Sequence, residues 1–277
     1  MNANVVGVDR SLDAAEIKRV QDPAQIRRLI RSGRYAGRTG GVAPGYVQAN
    51  LCILPADYAD DFLRYCQRNP KPCPLLGVSD VGDPRFPGWG DDLDVRTDLP
   101  SYDVFEHGEL TESVSDIQAL WRKDFVAFAL GCSYSFEYAL TSEGLPLRHV
   151  DLGMRPARYN SSIETVPAGP FRGRMVVTMR PFKPAEAIRA IQITSRFPMV
   201  HGAPVHIGLP HLIGIEDMEA QCVTNFIPYG EDEIPLFWGC GVTPQLAIEH
   251  ARPPICITHT PAHMLITDRL NASLAVM

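Results

Sequence analysis

The spacing of apolar side chains predicts short helices and strands that follow one another closely along the chain. Helical spacing predicts helices in DPAQIRRLIRSG and ADYADDFLRYCQRN, and an apolar run between them predicts a strand from Val47 to Leu54. The first helix has clear end signals. Asp22 and Gln25 fit a capping box, Pro23 suits the first helical position, and Gly33 suits the end.

Two further helices are predicted in the middle of the chain. In DIQALWRKDFVAFAL, the side chains of Ile117, Leu120, Trp121 and Phe125 recur at helical spacing. A second helix is predicted in CSYSFEYALTSEG, with Glu137 favourably placed near its start. The segment RGRMVVTMR then predicts a strand and KPAEAIRAIQIT a helix, which form a local β-α unit.

The last eighty or so residues contain two similar strand-turn-helix patterns. The strand IPLFW leads through GCG to Thr243 and Pro244, which open the helix PQLAIEHA, and the strand PICITH leads to Thr260 and Pro261, which open PAHMLITDR. This repetition predicts parallel α/β packing with both helix starts at the carboxyl edge of one sheet. Free N–H groups at such starts favour a carboxylate ligand.

The composition is that of a globular protein that folds along its whole length. The chain has 277 residues, of which 45% are hydrophobic and 21% charged. That length allows two domains. No apolar run reaches the length of a membrane span, and the first residues do not resemble a signal peptide, so we expect a cytoplasmic protein without a membrane partner.

The cysteines argue against a disulfide framework and against a cysteine zinc site. Seven are present, and none forms a C-x-x-C pair, so we expect reduced thiols. They are Cys52, Cys66, Cys73, Cys132, Cys222, Cys240 and Cys256.

Charge is distributed unevenly along the chain. The net charge of −6 gives no footprint for nucleic acid, and eleven acidic residues lie between Asp80 and Asp116. Between Arg155 and Lys183 the balance reverses, with Glu164 as the single acid. Two interpretations stay open for this basic segment: a solvated face, or a pocket for an anionic metabolite.

Three residues near the C-terminal turns are candidates for chemistry. Cys240 lies in a glycine-flanked turn before a helix, where its thiol pKa can be lowered, although a small buried cysteine is an equal alternative. His263 is expected in a first helical turn, whose dipole would keep the imidazole neutral and basic. His259 ends the preceding strand, and no H-E-x-x-H pattern accompanies these histidines, so no zinc site is expected.

The segment HGAPVHIGLP contains two further candidates, His201 and His206. Gly202 and Pro204 predict a turn into a short strand beside the two Thr-Pro units, with His201 at a pocket mouth and His206 nearer its floor. Two structural histidines are the alternative. The glycine-rich nucleotide-binding motifs and G-x-S-x-G do not occur in the chain.

Many ordered motifs resemble the hydro-lyase family that is also described as D-glutamate cyclase-like. The resemblance runs from about residue 31 to 268 and rests on GGVAPGYVQANLCILP, NPKPCPLL, VRTDLPSY, LGCSYSFEYAL, AGPFRGRMVVTMRP, TSRFPMVHGAPVHIG, FWGCGVTPQLA and ITHTPAHMLITD. It implies an α/β fold with a larger three-layer α/β domain and a smaller α+β sandwich domain. It also implies loss of water from a small acid, with D-glutamate closing to 5-oxo-D-proline.

The chain departs from the family pattern in three places. Leu209 stands where the family has an aspartate after HIG, and EAQCVTNFIPYGEDE replaces an acidic glycine stretch. The segment ARYN keeps Arg158 and Asn160 of a further motif. If the lost acids were acid/base groups, the substrate would differ or activity would be absent.

Ring closure of glutamate requires a base and an acid on opposite sides of the substrate. We expect His263 or His206 as base and His201 or Glu106 as acid, with Cys240 as a further catalytic candidate. The substrate-binding candidates are Arg158, Asn160, Thr243, His259 and Thr260.

We assign residues 1–145 and 200–277 to the larger domain and 146–199 to the smaller one. We expect no metal and no cofactor, a small carboxylate-bearing substrate as partner, and leave a homo-oligomer open. The alternative function is a non-catalytic carboxylate-binding protein or partner subunit. A metal-dependent dehydratase would need Glu106 or Glu137 beside the histidines.

Overall fold

The structure, a computed structural model, describes residues 11–276 and contains two antiparallel sheets with helices packed around them. The helices are α1 (Ala14–Ile17), α2 (Pro23–Arg31), α3 (Ala56–Arg68), α4 (Ser133–Ser142), α5 (Arg148–Asp151), α6 (Pro184–Ser195) and α7 (Thr243–Ala251). The strands are β1 (Tyr46–Pro55), β2 (Leu75–Val78), β3 (Tyr102–Glu106), β4 (Glu109–Val114), β5 (Phe125–Gly131), β6 (Ala157–Glu164), β7 (Arg174–Phe182), β8 (His206–Ile207), β9 (Ile234–Gly239), β10 (Cys256–His259) and β11 (Leu265–Leu270). None of these helices is both long and apolar enough to cross a membrane.

The larger sheet has seven strands and is organised around β1. Its order is β2-β5-β1-β10-β3-β4, and β11 also pairs with β1. All of its pairings are antiparallel. Strand β1 pairs with β5 along one edge and with β10 and β11 along the other, and its side chains are almost all buried.

The smaller sheet has four strands in the order β6-β7-β9-β8, again all antiparallel. One face packs against α4 and α6 through Phe136, Phe182 and Trp238. The other face is covered by a cluster around Tyr159 and Phe237. Strands β6 and β7 fall within the predicted smaller domain, whereas β8 and β9 lie beyond residue 199. The domain division stays a prediction.

The predicted parallel arrangement of the two Thr-Pro units is wrong. Strand β9 lies in the four-stranded sheet and β10 in the seven-stranded sheet, and both pair only antiparallel in the described chain. Helix α7 begins at Thr243 as predicted, but the segment after Thr260 turns and enters β11. The reason is that Leu265 and Ile266 are fully buried where β11 pairs with β1, so sheet pairing outweighs the helix-opening signal.

The predicted helix in DIQALWRKDFVAFAL is also wrong. Ile117 to Leu120 form a turn, and Phe125 begins β5, which pairs with β1 through seven consecutive residues. The segment FVAFALG is buried on both faces, as central strands often are. A short continuous apolar run does not distinguish such a strand from a buried helix.

The other predicted elements are present. Helices α2, α3, α4 and α6 and strands β1, β7, β9 and β10 fall where the pattern placed them. Asp22 caps α2 by accepting from the N–H of Ala24 at 3.0 Å, and Pro23 is its first residue. The strand predicted in HGAPVHIGLP is reduced to β8, which pairs with β9 at the edge of the smaller sheet.

Candidate functional site

Two adjoining cavities lie where α4, α7 and the end of β10 meet. The small cavity has a volume of about 90 Å³ and the large cavity about 550 Å³. Tyr134 and Arg155 line both of them. The two cavities therefore share part of their wall and form one divided cleft.

Helix starts form one side of the small cavity. Ser133 and Tyr134 belong to the first turn of α4, while Gly241 and Val242 directly precede α7, and all four line the small cavity. The starts of these helices direct backbone N–H groups and partial positive charge toward the cavity. The second helix start is that of α4 and not the one predicted after Thr260.

Two arginines of the basic segment line the small cavity. Neither Arg155 nor Arg158 has a side-chain hydrogen bond or ion pair with any residue between 11 and 276, and both are half-buried. Two exposed basic residues of the segment are paired instead: Arg174 with Glu164 at 3.1 Å and Lys183 with Asp232 at 3.6 Å. The small cavity is thus rich in free cationic donors, which is the arrangement that binds a carboxylate.

Two buried histidines line the same cavity, and both are neutral at physiological pH. Burial lowers the pKa of His201 and of His259 to about 4 in each case. His201 Nδ1 lies 2.7 Å from the Lys71 carbonyl oxygen, and His259 Nδ1 lies 3.2 Å from the Leu51 nitrogen. These rings can orient a ligand by hydrogen bonding, without carrying charge.

The backbone is strained at two positions of the small cavity. His201 has a φ of 81° and Ala262 a φ of 73°, both in the left-handed region that residues with a Cβ avoid. Such strain concentrates at functional sites, where the surrounding structure holds it in place.

Cys240 also lines the small cavity, but its thiol is not activated. Burial raises its pKa, which outweighs the lowering expected from the helix start. The expectation of a lowered thiol pKa is therefore wrong, because the glycine turn packs closely. A Cβ on Gly241 would come within 2.1 Å of Asn50 Nδ2, and one on Gly239 within 2.9 Å of the Lys71 oxygen.

Three of the predicted acid/base residues line neither cavity. Glu106 is exposed at the end of β3, next to the turn into β4. His206 is half-buried on β8, and its Nε2 lies 3.0 Å from the Leu209 carbonyl oxygen. His263 follows Pro261 in a turn and not in a helix, and burial, not a helix dipole, lowers its pKa.

Three of the predicted substrate-binding residues also lie outside both cavities. Asn160 is exposed on β6. The Thr243 hydroxyl is fully buried and accepts from the Val176 N–H at 3.0 Å, while the Thr260 hydroxyl donates to Asp103 at 2.6 Å. Of the ten candidates, the small cavity brings together four: His201, Cys240, Arg158 and His259.

A buried ionic cluster, missed from the sequence, joins the two cavities. Arg180 donates from Nε to Glu137 Oε1 at 2.9 Å and also from Nη2, while His149 Nε2 lies 3.4 Å from the same oxygen. Glu137 and His149 line the large cavity. Burial opposes ionisation of Glu137, but Arg180 and His149 lower its pKa to about 2, so it is a carboxylate at neutral pH.

Arg180 also contacts two residues that line the small cavity. Its Nη1 donates to Thr178 Oγ1 at 3.0 Å and its Nη2 to Ser133 Oγ at 3.2 Å, and both acceptors line the small cavity. The guanidinium carbon lies 5.1 Å from the centre of the Phe136 ring and 5.4 Å from that of Trp238. These contacts fix Arg180, and through it Glu137, in one orientation.

Unpartnered polar atoms concentrate on the large cavity. In residues 11–276, five residues each have one buried side-chain nitrogen or oxygen without a hydrogen-bond partner: Gln48, Ser135, Glu137, His149 and Asn271. All except Ser135 line the large cavity. Unsatisfied buried polar atoms are costly, so a concentration of them in one cavity indicates a polar ligand.

The sequence of β1 contains a signal that could have predicted these polar groups. Gln48 and Asn50 are spaced by two in an otherwise apolar buried strand, so they share one face of the sheet. Gln48 lines the large cavity and Asn50 the small one. No group of three or more His, Cys, Asp or Glu side chains suited to a metal ion occurs in the described chain, and the metal-free expectation stays a prediction.

Comparison with known proteins places the chain in a family. The family model for D-glutamate cyclase matches residues 126–268, which include Glu137, His149, Arg155, Arg158 and Arg180. A relative from Verminephrobacter eiseniae is 57% identical over 91% of this chain and 92% of its own length. One from Bordetella petrii is 58% identical over 89% and 94%, and one from Bradyrhizobium diazoefficiens is 54% identical over 96% and 99%.

All three relatives carry the name "Putative hydro-lyase". The chain belongs to this hydro-lyase family and contains its D-glutamate cyclase domain. A solved nitrogen repressor-like protein from Methanococcus jannaschii aligns with 84% of the chain at 11% identity and a TM-score of 0.38, which is too low to support any argument.

Proposed function

We propose that this protein removes water from a small acidic amino acid, and that the substrate is D-glutamate, which closes to 5-oxo-D-proline. The observation that carries the proposal is the pair of half-buried arginines, Arg155 and Arg158, which have no ionic partner in the described chain. They stand beside the starts of α4 and α7. A carboxylate is the group that such donors bind most strongly.

The reaction moves protons without consuming any. The ammonium nitrogen of glutamate loses two protons, a C–N bond forms to the γ-carboxyl carbon, and one C–O bond of that carboxyl group breaks. The departing oxygen leaves with both protons as water. The protein must therefore hold the α-carboxylate, keep the γ-carboxyl group near the nitrogen, and carry protons from nitrogen to oxygen.

The lining residues suit the first two tasks. Arg155 and Arg158 would hold the α-carboxylate, with Arg155 at the junction of the two cavities. Burial raises the pKa of Tyr134, so its phenol keeps its proton and would donate to the γ-carboxyl oxygen. The neutral rings of His201 and His259 would orient the substrate without adding charge.

The departure at Leu209 does not weaken the proposal. Leu209 is exposed and lines neither cavity, so an acid missing there leaves the cleft unchanged. We propose a cytoplasmic enzyme that needs the small acid as partner and no cofactor or metal. A homo-oligomer stays a prediction, which the molar mass of the protein in solution tests.

The test is incubation of the purified protein with D-glutamate, L-glutamate and a panel of other amino and hydroxy acids, followed by mass analysis. We expect loss of one water from D-glutamate and formation of 5-oxo-D-proline. Loss of water from another acid alone would change the substrate and keep the reaction class. No loss of water from any acid, together with thermal stabilisation by a carboxylate, would replace the enzyme with a carboxylate-binding protein.

A further inference from the structure

Residues that line the large cavity hold buried hydrogen-bond acceptors without partners, unlike the residues that line the small cavity. Gln48 is 3% exposed, and its Nε2 donates to the Val42 carbonyl oxygen at 2.7 Å, which leaves Oε1 without a partner. Because Nε2 is engaged, the amide orientation is set by this contact. Gln48 Oε1 is thus an acceptor that needs a donor from a ligand.

Glu137 presents the second acceptor. Arg180 engages Oε1 twice, while Oε2 is buried and has no partner. Glu137 is 4% exposed and His149 is 3% exposed, and His149 Nε2 also lacks a hydrogen-bond partner. A buried carboxylate oxygen with no donor is expensive for a fold unless a ligand supplies one.

We infer that Glu137, His149 and Gln48 form the site that receives the amino group of the substrate, and that the Glu137–His149 pair carries its protons during ring closure. This inference rests on the proposed function. An ammonium group supplies the donors that the orphaned atoms of these three residues lack. Its carboxylate would lie on the side of Arg155, which lines both cavities.

The position of the pair fits the proton path that the reaction requires. Within the pair, the His149 imidazole accepts a proton from the ammonium group, and the Glu137 carboxylate, which Arg180 keeps ionised, stabilises the imidazolium. This transfer frees the nitrogen lone pair for attack on the γ-carboxyl carbon. After attack, nitrogen and the departing oxygen are bonded to the same carbon, so one carrier reaches both atoms. The pair returns its proton to that oxygen, the second nitrogen proton follows the same route, and water leaves with no net proton consumed.

Arg180 is a positioning residue in this arrangement. It holds Oε1 of Glu137 and leaves Oε2 without a partner, and it is itself fixed by Thr178 and Ser133. It does not line either cavity. Its effect on the reaction therefore passes through Glu137.

The experiment compares binding of D-glutamate and of glutarate, which has both carboxyl groups and no amine. The variants are Glu137→Gln and His149→Gln, and the matched control is His211→Gln, which makes the same change at an exposed histidine that lines neither cavity. We expect the parent to prefer D-glutamate by about 10-fold or more, as hydrogen bonds to charged groups allow. Glu137→Gln should reduce the preference to less than about threefold while leaving glutarate binding unchanged.

Turnover supplies the second readout. Both variants should lose about 10²-fold or more of turnover, the usual contribution of a proton carrier, and His211→Gln should keep both turnover and preference. If Glu137→Gln does not fold, His149→Gln decides, because it leaves the pair between Glu137 and Arg180 intact. Normal turnover and an unchanged preference in His149→Gln would then overturn the inference.

Failure of the inference can be told from failure of the proposed function. One outcome is that no acid loses water, but the protein binds D-glutamate better than glutarate and this preference depends on Glu137. The amino-group site would then be supported and the cyclase reaction contradicted. If D-glutamate is cyclised by the variants as by the parent, the reaction stands and the inference is wrong. Absence of any binding of D-glutamate to the parent overturns both.

Discussion

The two cavities differ in the hydrogen-bonding groups that they present, although they share Tyr134 and Arg155. The small cavity presents donors from arginines and helix starts. Two residues that line the large cavity hold unpartnered acceptors, Gln48 Oε1 and Glu137 Oε2. An α-amino acid has an acceptor end and a donor end separated by one carbon, so a cleft divided in this way matches it better than either cavity does alone.

The two cavities also draw on different parts of the chain. The small cavity is lined mostly by residues within 126–268, the range matched by the D-glutamate cyclase family model. The large cavity adds Gln48 of β1 and residues near α1 and the loop after α2, which lie before that range. The family-matched region thus supplies the arginines and the ionic cluster, while β1 supplies Gln48, one of the unpartnered acceptors.

The largest effect is expected from Arg180→Met, which would remove the group that links the cavities. Arg180 is 1% exposed and Glu137 is left as a buried carboxylate without its main partner. Breaking one side of a buried ion pair costs about 3–5 kcal/mol of unfolding free energy. Urea denaturation of the parent and variant measures this difference.

A double variant sharpens this result. Glu137→Leu with Arg180→Met replaces both charges by apolar side chains, so it should be less destabilised than Arg180→Met alone. A double variant that is as unstable as the sum of both single variants would mean that the pair is not the source of the cost. The contact between His149 Nε2 and Glu137 Oε1, at 3.4 Å, would then be the next source of the cost to test.

The next effect concerns stability against pH. The pKa of His201 and of His259 is about 4 in the folded protein and about 6.5 in the unfolded chain, so the unfolded chain binds more protons between these values. The free energy of unfolding should therefore fall as pH drops from about 6.5 to about 4, by up to about 3 kcal/mol for each ring. Glu137, whose pKa is lowered to about 2, should add a further loss as pH falls below about 4.5.

Denaturation with urea at a series of pH values measures this dependence. His201→Asn is the suitable comparison, because asparagine tolerates the left-handed backbone at a φ of 81°. It should remove about half of the loss between neutral pH and pH 4. An unchanged dependence in this variant would show that the His201 ring is not the source.

A smaller effect is expected at Arg158, on the donor side of the cleft. Arg158→Ala should raise KM for D-glutamate by about 10- to 100-fold, since it removes charge-assisted hydrogen bonds to a carboxylate. Arg158→Lys keeps the charge but loses the two-pronged geometry, so its KM should lie between those of the parent and Arg158→Ala. Steady-state kinetics check both, and parental values in both variants would move the carboxylate anchor to Arg155.

Local signals predicted the elements that local interactions determine. Asp22 caps α2 and Pro23 is its first residue, and Pro244 lies in the first turn of α7. Caps and first-turn prolines act within a few residues, so the sequence shows them directly. Pairing between distant segments overrode such signals elsewhere. Strand β5 and the segment after Thr260 are held by β1, and no local rule contains that partner.

Some residues of the candidate site could also be predicted from local sequence signals, and others could not. Arg158 and Cys240 could be found because the charge reversal and the glycine turn are visible in the sequence. The cluster of Glu137, His149 and Arg180 could not, since Glu137 and Arg180 are 43 residues apart and meet only when α4 packs on the smaller sheet. The sequence did contain a signal for polar groups in the cleft, namely the two polar residues Gln48 and Asn50 in the buried strand β1.

The smallest effect is expected from His206→Gln, which tests whether catalysis is confined to the divided cleft. His206 lines neither cavity, and its ring contacts Phe237 while Nε2 bonds to the Leu209 carbonyl oxygen at 3.0 Å. Glutamine preserves most of the volume and one donor to that oxygen, so we expect turnover within about twofold of the parent and a stability change below about 1 kcal/mol. Kinetics and thermal denaturation of this variant, measured beside His149→Gln, give the contrast between a residue outside the cleft and one within it. Loss of turnover in His206→Gln with unchanged stability would return the acid/base role to HGAPVHIGLP, and it would require β8 to approach the substrate in a way that the two cavities do not provide.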